Sequence, residues 1–433
     1  MPYLKSWQAR RNRFAGEYGI VLYSLIAAAA GLAFAFKIAL ALNTYGTNDV
    51  LFWEGDLAKI RADGGMALYR DGAQIFLHGV LVRTEPFNQP PFMIHIRRLA
   101  GAVADLSGLP LGFWVRVASS LADIGSLVLV WKILTASGLS VRPLALLLIA
   151  ISPVSIMVSG FHGNTDPVMM FFVLLSMFLI ESGRPAWLAG AALGMAMNIK
   201  IVPIIFIPVF LLYLPGIRRW IGFTLAAGMT FAAGSLPYLF QDPLLIMHRV
   251  FGYNSMSAVW GISQLIYLLL PEGPFAAYRV VGKMLAFSII LLASFGMNRG
   301  NQKPALFLQC GCIAFLFLFW TPGFGVQYLA WLVPWGAALA GWRMVFFYTS
   351  SGIYLCGFYT VWSRGFPWFL ANLMDNHVPL WEKAFVLSLD TVCWISIGVI
   401  AFAYCRRLVF QNSGTTPRSF RRPISTLAEG LET

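Results

Sequence analysis

Long apolar runs follow one another through almost the whole chain, and they constrain its fold more than any other feature. A run of about 20 apolar residues can cross a bilayer as a helix that hydrogen-bonds all its own backbone groups. The 433 residues are 58% hydrophobic and 11% charged, whereas a water-soluble domain carries about 25% charged residues. The sequence therefore predicts an all-α polytopic membrane protein and excludes a water-soluble globule.

Basic residues cluster in the two tails and in short loops. Cytoplasmic loops that face anionic lipid carry such an excess, so the net charge of +13 does not indicate a nucleic-acid partner. About 12 transmembrane helices (about 11 to 13), with both termini in the cytoplasm, put every cation of the short inner loops on one side. These cations are Lys132, Arg142, Arg184, Arg218, Arg219, Arg299, Lys303, Arg343, Arg406 and Arg407.

One apolar stretch, Ile262 to Leu270, is too short to cross a bilayer. If it is re-entrant or lies on the outer surface, the charge pattern holds, whereas a full span would place Arg299 and Lys303 outside. We predict one membrane domain over residues 1–410, with a first extracytoplasmic loop of amphipathic helices at 43–111 and a second extracytoplasmic segment at 240–279. Residues 411–433 read as a basic, disordered cytoplasmic tail.

The first loop holds seven of the chain's 18 acidic residues. Helical spacing places Asp49, Trp53 and Asp56 on one side of a helix, next to the end of the first span. An acid at the bilayer edge beside an aromatic ring is how a general base with a raised pKa is arranged. Alternatively, Asn48 or Asp49 simply caps this helix.

Further polar residues are predicted on the same membrane face. In FHGNTDP, His162, Asn164 and Asp166 lie where the third span meets the fourth, as functional ionisable groups or as a solvated capping turn. Lys200 lies at the tip of a short hairpin between apolar spans. There it either reaches the lipid headgroups or binds a lipid phosphate.

Two later segments supply the remaining candidates. A Pro and Gly break in TPGFGVQYLAWLVPW puts Gln327 and Tyr328 where an opened helix end can offer donors to a ligand oxygen. An interfacial aromatic belt would also account for Tyr328. Arg249 and Trp260 lie on the second outer segment, where surface anchoring and substrate contact are equally open.

Taken in chain order, these motifs resemble the GT-C superfamily of membrane glycosyltransferases. The resemblance rests on Asp49, Tyr69 in GGMALY, the FNQPPF segment, the Gly-Asn-x-Asp turn, Lys200 and the GVQYLAWLVP motif, and extends to about residue 340. The chain is most similar to the branch that uses polyprenyl-phosphate-linked sugars. That branch includes the GPI mannosyltransferase I type and bacterial mannosyltransferases of similar layout.

The resemblance implies a GT-C-like fold and an inverting transferase that moves a sugar, mannose in the nearest relatives, from a lipid phosphate to an acceptor hydroxyl outside the cytoplasm. Asp49 matches the general base, and Lys200 and Gln327 fall where the donor phosphate would be held. GPI-type enzymes show Asp-x-Asp where this chain has Thr47, Asn48 and Asp49. We therefore expect no metal and no cofactor beyond the lipid-phosphate donor, with a divalent metal as the alternative.

Inverting displacement at an anomeric carbon also needs such residues on chemical grounds. One carboxylate must deprotonate the incoming hydroxyl, and cationic or amide donors must stabilise the departing phosphate. We expect Asp49 to be the base, Asp166 or Asp56 to orient the acceptor, and Lys200 with Arg249 or Gln327 to hold the phosphate. The other predicted substrate-binding residues are Tyr69, His162, Asn164, Trp260 and Tyr328.

The main alternative is a transporter or flippase for lipid-linked sugars, which needs charged or broken segments at the bilayer midplane and repeated halves. Inside the predicted spans, Lys37 and Asp123 either form a structural ion pair or mark a path. A third possibility is the same fold with another transferred group, such as aminoarabinose or an oligosaccharide.

The expected partners are a polyprenyl-phosphate-linked sugar, a lipid or glycan acceptor and membrane lipids, but not nucleic acid; a partner subunit stays open. The expected location is a bacterial plasma (inner) membrane with the active site outside, in cell-envelope glycolipid synthesis. In a eukaryote it would be the endoplasmic reticulum, with a lumenal site.

Overall fold

A computed structural model describes residues 2–77, 80–253, 255–300, 303–338, 341–372 and 378–410. This part of the chain is almost entirely helical and contains several apolar helices of membrane-spanning length, which confirms the predicted all-α polytopic membrane protein. The predicted tail at 411–433 lies outside the described residues.

Within these ranges, six helices are long and apolar enough to cross a membrane, judged by length and composition. They are Ile20–Asn43, Leu111–Ala136, Pro143–His162, Glu272–Met297, Trp342–Trp362 and Leu380–Val409. Shorter apolar helices cover Ala186–Ile199, Val202–Tyr213 and Leu306–Trp320. The total of about 12 transmembrane helices therefore stays a prediction.

The α-helices follow one another with few strands between them. They are α1 (Pro2–Asn43), α2 (Asn48–Asp63), α3 (Gly65–Asp71), α4 (Phe92–Ser107), α5 (Leu111–Ala136), α6 (Pro143–Ala150), α7 (Pro153–Met157), α8 (Asp166–Glu181), α9 (Ala186–Ile199), α10 (Ile207–Tyr213), α11 (Ile217–Leu239), α12 (Pro243–Gly252), α13 (Gly261–Leu269), α14 (Glu272–Met297), α15 (Leu306–Trp320), α16 (Trp342–Trp362) and α17 (Leu380–Cys405). Val202–Phe206 and Val326–Ala338 are 3-10 helices, and Val158–His162 and Arg406–Phe410 are π-helical turns. The strands are β1 (Gly46–Thr47), β2 (Gln74–Leu77), β3 (Val80–Arg83) and β4 (Leu370–Ala371).

The first loop contains the predicted helices and also an antiparallel hairpin formed by β2 and β3. Thr47 caps α2, because its side-chain oxygen accepts the backbone N–H of Asp49 at 3.3 Å. The prediction that Asn48 or Asp49 caps this helix is therefore wrong. Gly64, with a φ of 83°, ends α2, and α3 begins at the next residue.

A short pair of parallel strands beside α2 joins two segments that are far apart in the sequence. Gly46 pairs with Leu370 and Thr47 with Ala371. The backbone N–H of Tyr45 also donates to the carbonyl of Phe369, at 2.8 Å. The segment after α16 thus holds the turn from which α2 starts.

The third apolar span is broken in the middle of the molecule. Ser152 caps α7 and Pro153 occupies its first position, so the helix restarts there and ends in the π-helical turn at His162. Asp123 Oδ2 accepts from Lys37 Nζ at 2.5 Å and from the hydroxyls of Ser155 and Ser159, both at 2.6 Å. Lys37 and Asp123 therefore form the predicted ion pair, and this pair supports the broken span.

Two later apolar segments do not form full-length α-helical spans. Helix α13 has nine residues, a length of about 13 Å, which is well short of a bilayer core of about 30 Å. The apolar segment Val326–Ala338 is a 3-10 helix of 13 residues that contains Pro334, and not an α-helix. Proline lacks the N–H that an α-helical hydrogen bond requires at that point.

Candidate active site

A cavity of about 410 Å³ lies where the first loop, the second outer segment and the Pro and Gly break meet. Five residues predicted from the sequence line it, and they come from distant parts of the chain. They are Asp49, Asn164, Lys200, Gln327 and Tyr328. The fold therefore brings nearly half of the predicted site together in one place.

Asp49 lies in the first turn of α2 with its carboxylate on the cavity wall. Its Oδ2 accepts from Asn164 Nδ2 at 2.6 Å and faces His162 Nε2 at 3.1 Å. Both donors belong to the segment between α7 and α8, and His162 Nδ1 lies 2.9 Å from the hydroxyl of Tyr359. Asn164 and His162 both bind Oδ2 of Asp49, and Oδ1 has no protein hydrogen bond within the described chain.

The pKa of Asp49 is shifted in the direction opposite to the predicted one. Burial is the largest influence and raises the pKa of this carboxyl, but His162, Asn164 and the ammonium of Lys200 together lower it below its ordinary value. The prediction of a raised pKa is therefore wrong, because the stabilising donors come from elements far away in sequence. Asp49 is an ionised carboxylate at neutral pH.

Asp166 and Lys200 form an ion pair at the cavity wall, in which Asp166 is buried and Lys200 is partly buried. Lys200 Nζ donates to the two carboxylate oxygens of Asp166 at 2.8 and 3.0 Å. Asp166 also accepts the indole N–H of Trp331 at 2.5 Å, and no part of its side chain is exposed. The ammonium that the sequence leaves without an obvious counter-ion is thus paired with a protein carboxylate.

Two aromatic rings cover this pair on the cavity side. Tyr328 and Trp331 stack with ring centroids 4.1 Å apart, and Lys200 Nζ lies 4.7 Å from the centroid of Tyr328. Lys200 is therefore held by cation–π contact as well as by Asp166. Gln327 precedes the stack and offers an amide to the cavity.

Asp56 belongs to a second ion pair, which is buried. It accepts from Arg97 Nε at 2.9 Å, and Arg97 also donates to Gln89 Oε1 at 3.1 Å. The guanidinium lies between the rings of Trp53, at 4.3 Å, and Phe87, at 4.6 Å. Arg97, Gln89 and Trp53 line the cavity, whereas Asp56 lies behind them.

Three other predicted residues do not reach the cavity wall. Tyr69 is fully buried and its hydroxyl donates to the carbonyl of Gln89. Arg249 Nε donates to the carbonyl of Tyr69 at 3.2 Å. Trp260 is buried against Phe324, with ring centroids 3.8 Å apart, and donates to the carbonyl of Leu318 at 2.9 Å. Each of them therefore contacts other protein groups and not the cavity.

Sequence reasoning missed two cations that line the cavity. Arg279 and Lys283 lie four residues apart on α14 and both line it. In the described chain neither is within ion-pair distance of a carboxylate, although Lys283 Nζ donates to the carbonyl of Tyr253. The signal was available, because two basic residues spaced by one helical turn are unusual at the start of an apolar run.

The rest of the wall divides into a polar and an apolar part. The polar part missed by the sequence includes Asn88, Ser255 and Ser257, all outside helices and strands. The apolar part contains Ile201, Ile204, Ala286, Phe287, Ile290 and Phe317. A ligand with a polar head and a hydrocarbon tail matches this division.

Among the described residues, no group of three or more His, Cys, Asp or Glu side chains is close enough to hold a metal ion. The metal-free mechanism stays a prediction, since a bound substrate phosphate can also contribute metal ligands.

The middle of the chain matches a known protein family. The model of glycosyltransferase family 87 matches residues 87–322, which is more than half of the sequence. The matched segment contains Asn164, Lys200, Arg279 and Lys283, whereas Asp49 precedes it. No curated protein matches the chain significantly. The chain therefore belongs to glycosyltransferase family 87, among the GT-C-like membrane glycosyltransferases.

Proposed function

We propose that this glycosyltransferase moves a sugar, with inversion, from a polyprenyl phosphate to a hydroxyl of a lipid or glycan acceptor on the extracytoplasmic face. Asp49 is the general base. The observation that carries the proposal is one cavity that combines an ionised carboxylate, an apolar wall and two cations without a carboxylate partner among the described residues. An inverting transfer from a lipid phosphate needs these three features.

The cations supply the charge that a departing phosphate requires. Lys200 and Arg97 are already neutralised by Asp166 and Asp56, so they add little net attraction for an anion. Arg279 and Lys283 have no such partner within the described residues. We therefore assign the donor phosphate to this pair, with Gln327 as an amide donor, and not to Arg249, which does not line the cavity.

The apolar wall supports a lipid-linked donor over a soluble nucleotide sugar. It continues from the cations along α14 through Ala286 and Ile290. The other face of α14 exposes Val280, Val281 and Met284, as a lipid-facing helix does. A polyprenyl chain can thus lie in the cavity beside α14 while its phosphate stays at the two cations.

The reaction balances with the groups present. The acceptor oxygen attacks the anomeric carbon and forms the new glycosidic bond, and the bond from that carbon to the phosphate oxygen breaks. The electron pair leaves on polyprenyl phosphate, where Arg279 and Lys283 stabilise the added negative charge. Asp49 Oδ1 takes the acceptor proton, because Oδ2 is occupied by Asn164 and His162.

In this mechanism the ion pairs Lys200–Asp166 and Arg97–Asp56 position the acceptor. Asp166 and Asp56 orient the acceptor through Lys200 and Arg97, since neither carboxylate reaches the cavity itself. A guanidinium over Trp53 and the amide of Gln89 suit the hydroxyl groups of a carbohydrate. We expect mannose as the sugar, and a bacterial plasma membrane, or the endoplasmic reticulum in a eukaryote, as the site of action.

The decisive test is sugar transfer by the purified protein from synthetic polyprenyl-phosphate mannose, and from a panel of other polyprenyl-phosphate sugars, to membrane lipid extract. Release of polyprenyl phosphate together with a glycosylated product is the expected result, with or without a chelator. Asp49→Asn serves as the inactive control and Asp63→Asn, on the exposed end of the same helix, as the matched active control. Absence of turnover from every donor by folded, donor-binding protein would overturn the proposal.

A further inference from the structure

The Asp49 carboxylate is connected to a tyrosine that lies outside the family segment. The chain of contacts runs from Asp49 Oδ2 to His162 Nε2 at 3.1 Å, and from His162 Nδ1 to the hydroxyl of Tyr359 at 2.9 Å. Tyr359 belongs to α16, beyond the matched residues 87–322. This connection has no role in the reaction as described so far.

The hydrogen-bond directions follow from the partners. The hydroxyl of Tyr359 is buried and has no other hydrogen-bond partner among the described residues, so its hydrogen must go to His162 Nδ1. Nδ1 then accepts, and a ring that accepts at one nitrogen is neutral and carries its hydrogen on Nε2. That hydrogen points at the ionised Asp49, which can only accept.

The surroundings hold Tyr359 in place. Its ring contacts Phe161 with centroids 5.0 Å apart and Trp368 with centroids 5.5 Å apart, and Trp368 donates to Thr360 at 3.0 Å. The next few residues pair with the turn before α2 through β4. The segment after α16 therefore fixes both the start of α2 and the tyrosine behind His162.

We propose that Tyr359 is a positioning residue that holds His162 as a neutral Nε2–H donor to Asp49. The proposal rests on the proposed function, in which Asp49 is the base. With His162 fixed, Oδ2 of Asp49 is occupied and Oδ1 faces the acceptor. Without the hydroxyl, the ring is free to turn or to move its hydrogen to Nδ1, and a lone pair at Nε2 would repel the carboxylate.

The kinetic test uses Tyr359→Phe, with Tyr348→Phe as the matched control. Tyr348 is a buried tyrosine on the same helix whose hydroxyl donates to the carbonyl of Val333 at 2.6 Å, away from Asp49. We expect Tyr359→Phe to lower kcat about tenfold, the effect of one hydrogen bond, at nearly unchanged KM. Tyr348→Phe should keep kcat within about twofold.

A double-mutant cycle separates positioning from a purely structural role. Once His162→Gln has removed the ring, Tyr359→Phe should cause no further loss of kcat. An equal loss in both backgrounds, or a wild-type kcat for Tyr359→Phe, would overturn the proposal.

A spectroscopic measurement does not depend on catalytic activity. Nitrogen-15 NMR of histidine-labelled protein, with the His162 signals assigned by His162→Gln, should show the neutral Nε2–H tautomer at neutral pH. An imidazolium signal would refute the proposed hydrogen-bond directions. The charged groups that face this site are Lys200 and Arg97 toward Asp49, and Asp49 itself toward His162. Full turnover of Asp49→Asn would instead overturn the proposed function while leaving the tautomer result standing.

Discussion

Replacing Asp49 by asparagine tests the proposed mechanism most directly. The change removes the base but preserves the local hydrogen bonds, because Asn164 and His162 both bind the same oxygen, Oδ2. The amide of asparagine can place its oxygen there and turn its NH₂ group toward the cavity. The variant should therefore fold and bind donor like the wild type.

The expected loss lies in kcat. A positioned general base contributes roughly 10²- to 10⁴-fold, or about 3 to 5 kcal/mol of the activation barrier. Asp49 should give a value within this range, since its lowered pKa makes it a weaker base but keeps it fully ionised. Initial rates of polyprenyl phosphate release at saturating donor would measure kcat, and binding of the intact donor would be measured separately.

Two outcomes would refute this reasoning. Full turnover by folded Asp49→Asn would show that another group, or water, takes the proton. An equal loss in Asp63→Asn would show that charge or folding of α2, and not the position of the carboxylate, determines the rate. Asp63 is suitable as the control because its side chain is 52% exposed and pairs only with Lys59 of the same helix among the described residues.

Three further predictions follow from the geometry. Because the pKa of Asp49 is lowered, the base is ionised above that pKa, and kcat/KM should fall only as the pH drops below the ordinary aspartate value of 3.8; a loss centred near pH 6 would contradict this. Arg279→Gln combined with Lys283→Gln should weaken binding of polyprenyl phosphate at least ~10-fold, measured by displacement of labelled lipid, since charge-assisted hydrogen bonds are lost. Asp166→Asn should destabilise the protein by about 1 to 3 kcal/mol, because the partly buried ammonium of Lys200 loses its counter-ion, and thermal unfolding in detergent should show a lower Tm than the wild type.

The membrane fold and the first candidate residue could be predicted from local sequence. Span length and charge bias depend only on neighbouring residues and on the solvent, so the apolar runs identify a membrane protein without tertiary information. Asp49 was predicted because an acid directly after a span is visible in the sequence. The Lys37 and Asp123 pair was predicted for the same reason, as two charges inside apolar runs.

Other parts of the site depend on contacts that spacing does not reveal. Asp166 was predicted as a ligand of substrate, but the fold places it against Lys200, 34 residues away. Trp260 was a possible surface anchor and is instead fully buried. In each case the side chain found a partner on another element, and that partner decided its role.

The sequence by itself determined that this protein lies in a membrane and is helical, because these properties follow from hydropathy and charge along the chain. The tertiary structure decided which cations have a carboxylate partner, which oxygen of Asp49 binds His162 and Asn164, and in which direction the pKa of Asp49 moves. Those properties depend on distances of a few ångströms between elements far apart in sequence, such as α2, the turn at His162 and α16. Pairing, desolvation and hydrogen bonding act over such distances and are set only when the helices pack.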